Sequence, residues 1–503
     1  MFDREYEWTA LAAFATDPGD GATLGIVSGR RRQGKTFLLR ALCQATGGFY
    51  FAADEAADGE SLRRIGASLA DHLGTPAPLV FDTWHSVVDA LLALGRDRCV
   101  PVVIDEFPYL AKANPSLPSV IQNALAPLRA ERDTSRTRLL LCGSAMSFMG
   151  RLLGGNAPLR GRAGLELVVP TLDHRLAAEF WGIDDPATAL KVNAIVGGTP
   201  AYRREFARDD TPAGPDDFDP WATRTVLSPT SPLFREARYL LADEPDLHDT
   251  GLYHSVLAAI AAGNNNRGGI ASYLGRKSGD LAHPLTVLED CGMIIREPDV
   301  FRNNRTNFRI AEPLLTFYHA VMRPIWSDLE HTRDATGLWQ RSQRRFVGNV
   351  LGPHFGHICR HWTRHLAPAE RFGDYPNRVG AGTVNDPANK TSHELDVVAF
   401  GLDDDNRTPL ITIGEAKWGE TMGVGHLARL RRIRALLVGQ GRLGAQTAKL
   451  TCYSGAGFSA ELRRLAGEDT DIILVGLDDL YRQPSPGTNQ DSGSPPSRVH
   501  DRR

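Results

Sequence analysis

The chain has 503 residues, of which 42% are hydrophobic and 23% charged, and its formal net charge is -3. That length predicts about three or four domains of ~100–200 residues each, and the charge excludes a globally basic protein, so any nucleic-acid contact has to rest on local patches. The six cysteines, at positions 43, 99, 142, 291, 359 and 452, form no CxxC pair and show no zinc-ligand spacing; most lie in apolar runs and read as reduced core thiols. The first residues, MFDREYEW, are acidic and lack the apolar stretch of a secretory signal, and no apolar run approaches the ~20 residues of a membrane span. The expectation is a soluble, cytoplasmic protein without a membrane partner.

In chain order, the first element is a short β-rich run, Leu24 to Ser28, followed by the loop GRRRQGKT and an apolar helical pattern from Phe37 to Leu42. Strand, glycine-rich loop and helix start are the setting in which successive backbone N–H groups and a helix N-terminus hold an anion. Gly29 and Gly34 permit the tight turn, Lys35 is placed to reach β- and γ-phosphates, and the Thr36 hydroxyl is a candidate Mg2+ ligand. Gln33 and Phe37 complete the candidate nucleotide contacts, while Arg30, Arg31 and Arg32 lack a fixed role and either only solvate the loop or raise its positive potential.

A strand at Phe49–Ala52 and helical runs near 61–73 and 84–97 come next. Val102 to Ile104 is a buried-strand run ending in Asp105-Glu106. Two carboxylates at a strand end supply what a nucleotide hydrolase needs: Asp105 to hold the metal through water, Glu106 to orient the attacking water. A helix around 117–132 and another buried strand, Leu139 to Cys142, lead to Ser144, a candidate sensor of the γ-phosphate that could equally serve only as a helix cap. In P-loop ATPases with this additional strand, it lies between the loop strand and the Asp-Glu strand, and a doubly wound sheet places ligands at its C-terminal strand ends.

FDREYEW, the loop at 29–36, VVIDEFPYL, LLLCGSAMSFM, PLRGRAG and GGTPAY occur in that order. Together they resemble the archaeal-type ATPases of the AAA+/STAND region of P-loop proteins, and the resemblance covers most of the chain. It implies that Arg160 and Arg162 lie near the nucleotide, within one chain or across subunits of a homo-oligomer, and that Gly197 to Pro200 belongs to a helical lid.

From Leu165 to about Pro245 the pattern is helical and broken by an acidic, proline-rich loop at 209–220. Helices at 252–262, 268–275 and 280–291 and two short strands in MIIREP and FRI then follow winged-helix order. The third helix is poor in basic residues, so base reading is disfavoured against a packing role, whereas Arg302, Arg305 and Arg309 in the wing could touch phosphates.

Near the C-terminus, strand-like runs Leu395 to Phe400 and Leu410 to Ile413 carry Asp396 and then Glu415-Ala416-Lys417. Residues two apart in a strand share a face, so Glu415 and Lys417 point together. Asp396 and Glu415 are candidate Mg2+ ligands, and Lys417 a candidate catalytic group for stabilising charge at a phosphodiester. This resembles the PD-(D/E)xK nuclease-like domains attached to such ATPases, with one departure: Gly356 stands where the resemblance implies a helical glutamate. Arg429, Arg431, Arg432 and Arg434 are a solvated face or a phosphate-binding side.

The expected fold class is multidomain α/β: a P-loop doubly wound parallel sheet (1–164), a helical lid (165–245), a winged helix (246–328), a restriction-endonuclease-like α/β domain (329–482) and a disordered tail (483–503). The expected function is a Mg2+-dependent ATPase whose nucleotide state controls a nuclease-like domain acting on DNA. The alternatives are an ATP-gated binder of DNA or a partner protein that does not cleave, and a plain winged-helix DNA regulator.

Overall fold

The structure is a computed structural model and describes residues 2–242, 250–302, 304–331 and 334–482. It divides into two compact units, Met1–Pro298 with Asn303–His354, and Asp299–Arg302 with Phe355–Arg503.

The first unit is built on a parallel sheet of β1 (Thr23–Ser28), β2 (Phe49–Ala52), β3 (Val100–Asp105), β4 (Thr137–Gly143) and β5 (Ala163–Val168), in the order β2-β3-β4-β1-β5. β3 and β4 are buried along their whole length, as apolar strands covered on both faces must be. On one face Val27, Val103 and Leu140 pack against Leu38, Leu39 and Leu42 of the helix Lys35–Thr46. On the other, Ile26, Val102 and Leu141 meet Ile65 and Leu69 of the helix Asp58–Leu73 and Val87 and Leu91 of the helix Trp84–Ala93. β4 lies between β1 and β3, so the C-terminal ends of the three strands carrying the loop, the Asp-Glu pair and Ser144 share one edge of the sheet.

Two helix predictions were too long. The run at 84–97 stops at Ala93. The run at 117–132 stops at Ala124 and resumes only as the turn Ala130–Asp133; Pro127 lies between them and lacks the N–H that a continuing helix requires. β5 was not predicted: it is an edge strand with most of its residues partly or fully exposed, so its sequence has no buried run.

The unit continues through helices His174–Trp181, Pro186–Val196 and Pro232–Ala242. Helices Thr250–Ala261, Arg267–Leu274 and Ala282–Asp290 then precede an antiparallel hairpin of β6 (Ile294–Pro298) and β7 (Thr306–Ile310). Three helices and a hairpin in this order are a winged-helix arrangement.

The second unit is entered by the helix Gly352–His365. Its sheet comprises β8 (Arg378–Asp386), β9 (Thr391–Phe400), β10 (Leu410–Lys417), β11 (Lys449–Ser454) and β12 (Ile472–Val475), in the order β12-β11-β10-β9-β8. β8, β9 and β10 form an antiparallel meander; β11 and β12 join parallel to β10 after the helices Val424–Gly439 and Ala460–Glu468. Leu427, Leu430 and Ile433 of the first of these helices pack on Val398, Phe400 and Ile413. β8 was hidden by its composition, RVGAGTVND. A Cβ at Gly380 or Gly382 would stand 2.6 Å from Val300 or Phe301 respectively, so glycine is needed where the 299–302 segment lies across the strand.

All six cysteines are free, five of them buried. Among the described residues no helix is long and apolar enough to cross a membrane. The predicted tail, 483–503, and the lid boundary near 245 lie outside the described residues.

Candidate functional site

The loop after β1 has the backbone its glycines allow. Gly29 has φ 150° and Gly34 φ 90°, both unfavourable for residues with a side chain. A Cβ at position 29 would also stand 2.6 Å from the Val169 carbonyl oxygen. Gly34 caps the helix Lys35–Thr46 in a left-handed conformation and no side chain covers the cap, so the first N–H groups of that helix open onto the loop. Lys35 is 5% exposed; its Nζ donates to the carbonyl oxygens of Gly29 at 2.6 Å and Arg30 at 2.8 Å. Burial lowers its pKa, and the nearby Glu106 and Asp105 carboxylates act against that shift.

Asp105, at the end of β3, is 2% exposed. Its Oδ2 accepts from the Thr36 hydroxyl at 2.8 Å and from the Tyr50 phenol at 2.7 Å, while Oδ1 accepts from the Glu106 N–H at 3.0 Å. Burial pushes the Tyr50 phenol up, keeping it a donor. The sequence marks Tyr50 only as part of β2; its register opposite Val103, two residues before Asp105, is what directs it to the carboxylate. Glu106 has φ 52° at the start of the helix Phe107–Ala113, a strained conformation for a non-glycine residue. The Ser144 hydroxyl donates to its carboxylate, 3.1 and 3.0 Å from the two oxygens.

The three loop arginines take three different anchors. Arg30 pairs with Glu312 at 3.1 Å, at the foot of the winged-helix hairpin. Arg31 donates to the Tyr109 hydroxyl at 3.1 Å. Arg32 pairs with Glu236 on the helix Pro232–Ala242 and lies 4.4 Å from the Phe206 ring centroid. Glu236 and Glu312 are buried, with side chains 1% and 5% exposed, and burial raises the pKa of Glu312 against the pull of Arg30. No local pattern marks either glutamate: Glu236 is a lone acid in its helix, and Glu312 stands in extended backbone between β7 and the helix Pro313–Phe317.

A cavity of about 860 Å³ opens on this loop, lined by Gln33, Gly34, Lys35, Thr36, Phe37 and Glu106 together with residues of the following helical segment. That lies in the upper part of the roughly 300–1,000 Å³ range of small-molecule sites. Phe2 and Phe180 also line the cavity, ring centroids 5.3 Å apart, with Arg203 and Arg204 over the Phe180 ring at 5.4 and 5.5 Å. Pro200 of the GGTP turn also lines it. Arg4, buried, bridges the Gln33 and Pro170 carbonyl oxygens at 3.3 and 2.9 Å and pairs with Glu7, giving the opening FDREYEW segment a physical task. Gly29 and Ser144 stand behind the cavity's lining, and Arg160 and Arg162 are exposed outside it, Arg160 donating to the Gly155 carbonyl.

In the second unit Asp396 and Glu415 face one another across adjacent strands. Asp396 Oδ2 accepts from the Ala416 N–H at 2.9 Å, and burial raises its pKa. Glu415 is held by Lys417 at 3.0 Å and Arg429 at 2.7 Å. Burial works to raise its pKa, but the two cations bring it below the usual carboxylate value. Arg431 and Arg434 are engaged with Asp469 and Asp471. Of the wing arginines, Arg302 bonds Asn385 and Arg309 pairs with Glu297.

No family model matches the chain. The uncharacterized protein MJECL04 of Methanocaldococcus jannaschii is 25% identical over 309 residues, 61% of this chain and 65% of that protein, so the match spans just under two thirds of the relative's length. Among solved structures, the chain is similar to a Walker-type ATPase of Pyrococcus abyssi. The identity is 20%, with 63% of this chain and 96% of the other covered at a TM-score of 0.48. The ORC2 protein of Aeropyrum pernix, in complexes with ADPNP and ADP, is 16% identical over 68% of this chain and 96% of its own, with a TM-score of 0.39.

Proposed function

We propose that the chain is an ATP-binding and ATP-hydrolysing switch whose nucleotide state governs a C-terminal domain acting on DNA. The observation that carries the first part is the convergence of Lys35, the Thr36–Asp105 pair and the Glu106–Ser144 pair at one edge of a parallel sheet, beside a cavity of nucleotide size. The open helix N-terminus and Lys35 would hold phosphates. Thr36 and Asp105 are hard oxygen donors 2.8 Å apart, a set that suits Mg2+; bound there, the ion would neutralise charge on the β- and γ-phosphates. Tyr50 fixes the Asp105 carboxylate. Glu106 orients the attacking water, and Ser144 keeps the Glu106 carboxylate from turning away. The Phe2–Phe180 pair in the cavity's lining offers aromatic faces to a base.

The switch rests on Arg30 and Arg32. Both belong to the loop that would wrap the phosphates, yet their partners lie just after the winged-helix hairpin and on a lid helix. Movement of the loop on binding or losing the γ-phosphate therefore alters two buried ion pairs, which are costly to leave half-made. We assign 1–164 to the ATPase core, 165–245 to the lid, 246–328 to the winged helix and 329–482 to the DNA-acting domain. Arg160 and Arg162, exposed in this chain, would reach a nucleotide from a neighbouring copy.

Metal-dependent cleavage by the C-terminal domain is the second reading. Its support is the helix–meander–helix–strand order of the second unit and the shared edge of Asp396, Glu415 and Lys417. The function as a whole is tested by phosphate release from ATP by the purified chain. Turnover that stops on chelation of Mg2+ is expected; no turnover with or without DNA would contradict the proposal.

A further inference from the structure

The metal site expected in the second unit does not match the residues present. Among the described residues, no group of three or more His, Cys, Asp or Glu side chains gathers where a metal ion could be held. The helix position expected to add a carboxylate is Gly356, and a Cβ built there would meet Arg360 Nη1 at 3.5 Å. That same guanidinium nitrogen donates to the Asp396 carbonyl at 3.1 Å, so a cation stands beside the place where a third acid would. Arg429 adds a second: its Nη1 takes Glu415 Oε2 at 2.7 Å and its Nη2 the Glu394 carbonyl at 2.7 Å. Lys417 takes the other Glu415 oxygen at 3.0 Å. Two carboxylates thus face three cationic side chains. Divalent cations of this class take oxygen ligands, carboxylates above all; here both Glu415 oxygens are already engaged by Lys417 and Arg429.

We propose that this site does not recruit Mg2+ or Mn2+ and does not cut, but holds a phosphodiester of duplex DNA through Lys417 and Arg429 without metal. This deepens the proposed function, on whose reading that the second unit acts on DNA it rests. Both side chains keep solvent access, 37% and 29% exposed, so a phosphate oxygen can reach them while Glu415 orients them from beneath. The cluster lies where the C-terminal end of β10 meets the middle of the antiparallel β9, beside the helix Val424–Gly439.

The test uses the full chain, nucleotide-free, with a short fluorescent DNA duplex and with supercoiled plasmid. Duplex binding in EDTA equal to that in Mg2+ or Mn2+ is expected, with the plasmid intact under all three conditions. Lys417→Ala should reduce the log–log salt slope of binding by about 0.9, the loss of one phosphate contact; Arg429→Gln serves as the second variant should the first fail to fold. Nicking in Mn2+ that Asp396→Ala abolishes would overturn the inference. So would duplex binding that requires metal, or an unchanged salt slope in both variants. Absence of DNA binding under every condition, and also with ATP or ADP added, would instead remove the DNA part of the proposed function. In the opposite direction, Gly356→Glu combined with Arg429→Ala adds an acid and removes a cation, and should create saturable Mn2+ binding seen by water-proton relaxation. A folded double variant that still ignores Mn2+ would contradict the charge argument.

Discussion

Replacing Lys35 with alanine will raise the Kd for MgATP by at least ~100-fold while the chain stays folded. The Lys35 ammonium is buried and spends two hydrogen bonds on the Gly29 and Arg30 carbonyls. On binding it would exchange these neutral acceptors for phosphate oxygens. Hydrogen bonds involving a charged group contribute about 1.5–3 kcal/mol each, and two of them correspond to roughly two to four decades of affinity. The cost to folding is read separately, because the Gly29 carbonyl left behind is buried and the Arg30 carbonyl part-buried. Titration of a fluorescent ATP analogue, with near-ultraviolet circular dichroism as the folding control, reads both. An affinity within threefold of the parent would place the triphosphate elsewhere.

Glu106→Gln will bind MgATP as the parent does but turn it over ~10²–10⁴ times more slowly, the range for loss of a positioned general base. The glutamine keeps the size of the side chain and can still accept from the Ser144 hydroxyl that now meets the carboxylate at about 3 Å. It also keeps the left-handed backbone at φ 52° that points residue 106 into the cavity. What it loses is the charge that polarises water. Pre-steady-state phosphate release checks this, and the variant should accumulate bound ATP. Parent-like turnover would mean that another group activates the water, and Glu106 would then be only a cap for its helix.

Much of this was legible in the chain because the signals are local. The loop at 29–36 is continuous, the buried strands β3 and β4 are uninterrupted apolar runs, and the Asp105-Glu106 pair follows one of them directly. The winged-helix order was legible for the same reason. What was not legible depends on contacts between distant segments. Tyr50 reaches Asp105 only through strand register. Glu236 and Glu312 sit 204 and 282 positions beyond the arginines they pair with, Arg32 and Arg30, and a single acid has no pattern of its own. The arginines of the loop therefore looked like solvated charge until their partners were seen. In the second unit the order of elements was partly readable, but β8 was not, since its glycines serve the close approach of residues 299–302 rather than a strand pattern. The departure at Gly356 was visible in the chain; that Arg360 lies against it was not.

The occupant of the loop should be reported to the lid and the winged helix through Arg32–Glu236 and Arg30–Glu312. Amide hydrogen exchange on the Glu106→Gln chain, loaded with ATP or with ADP, tests it most directly. Different protection in the helix Pro232–Ala242 and in β6–β7 between the two nucleotides is predicted, with the difference lost when Arg30 and Arg32 are both changed to alanine. Identical protection with ATP and ADP, or a difference that survives the double substitution, would contradict it.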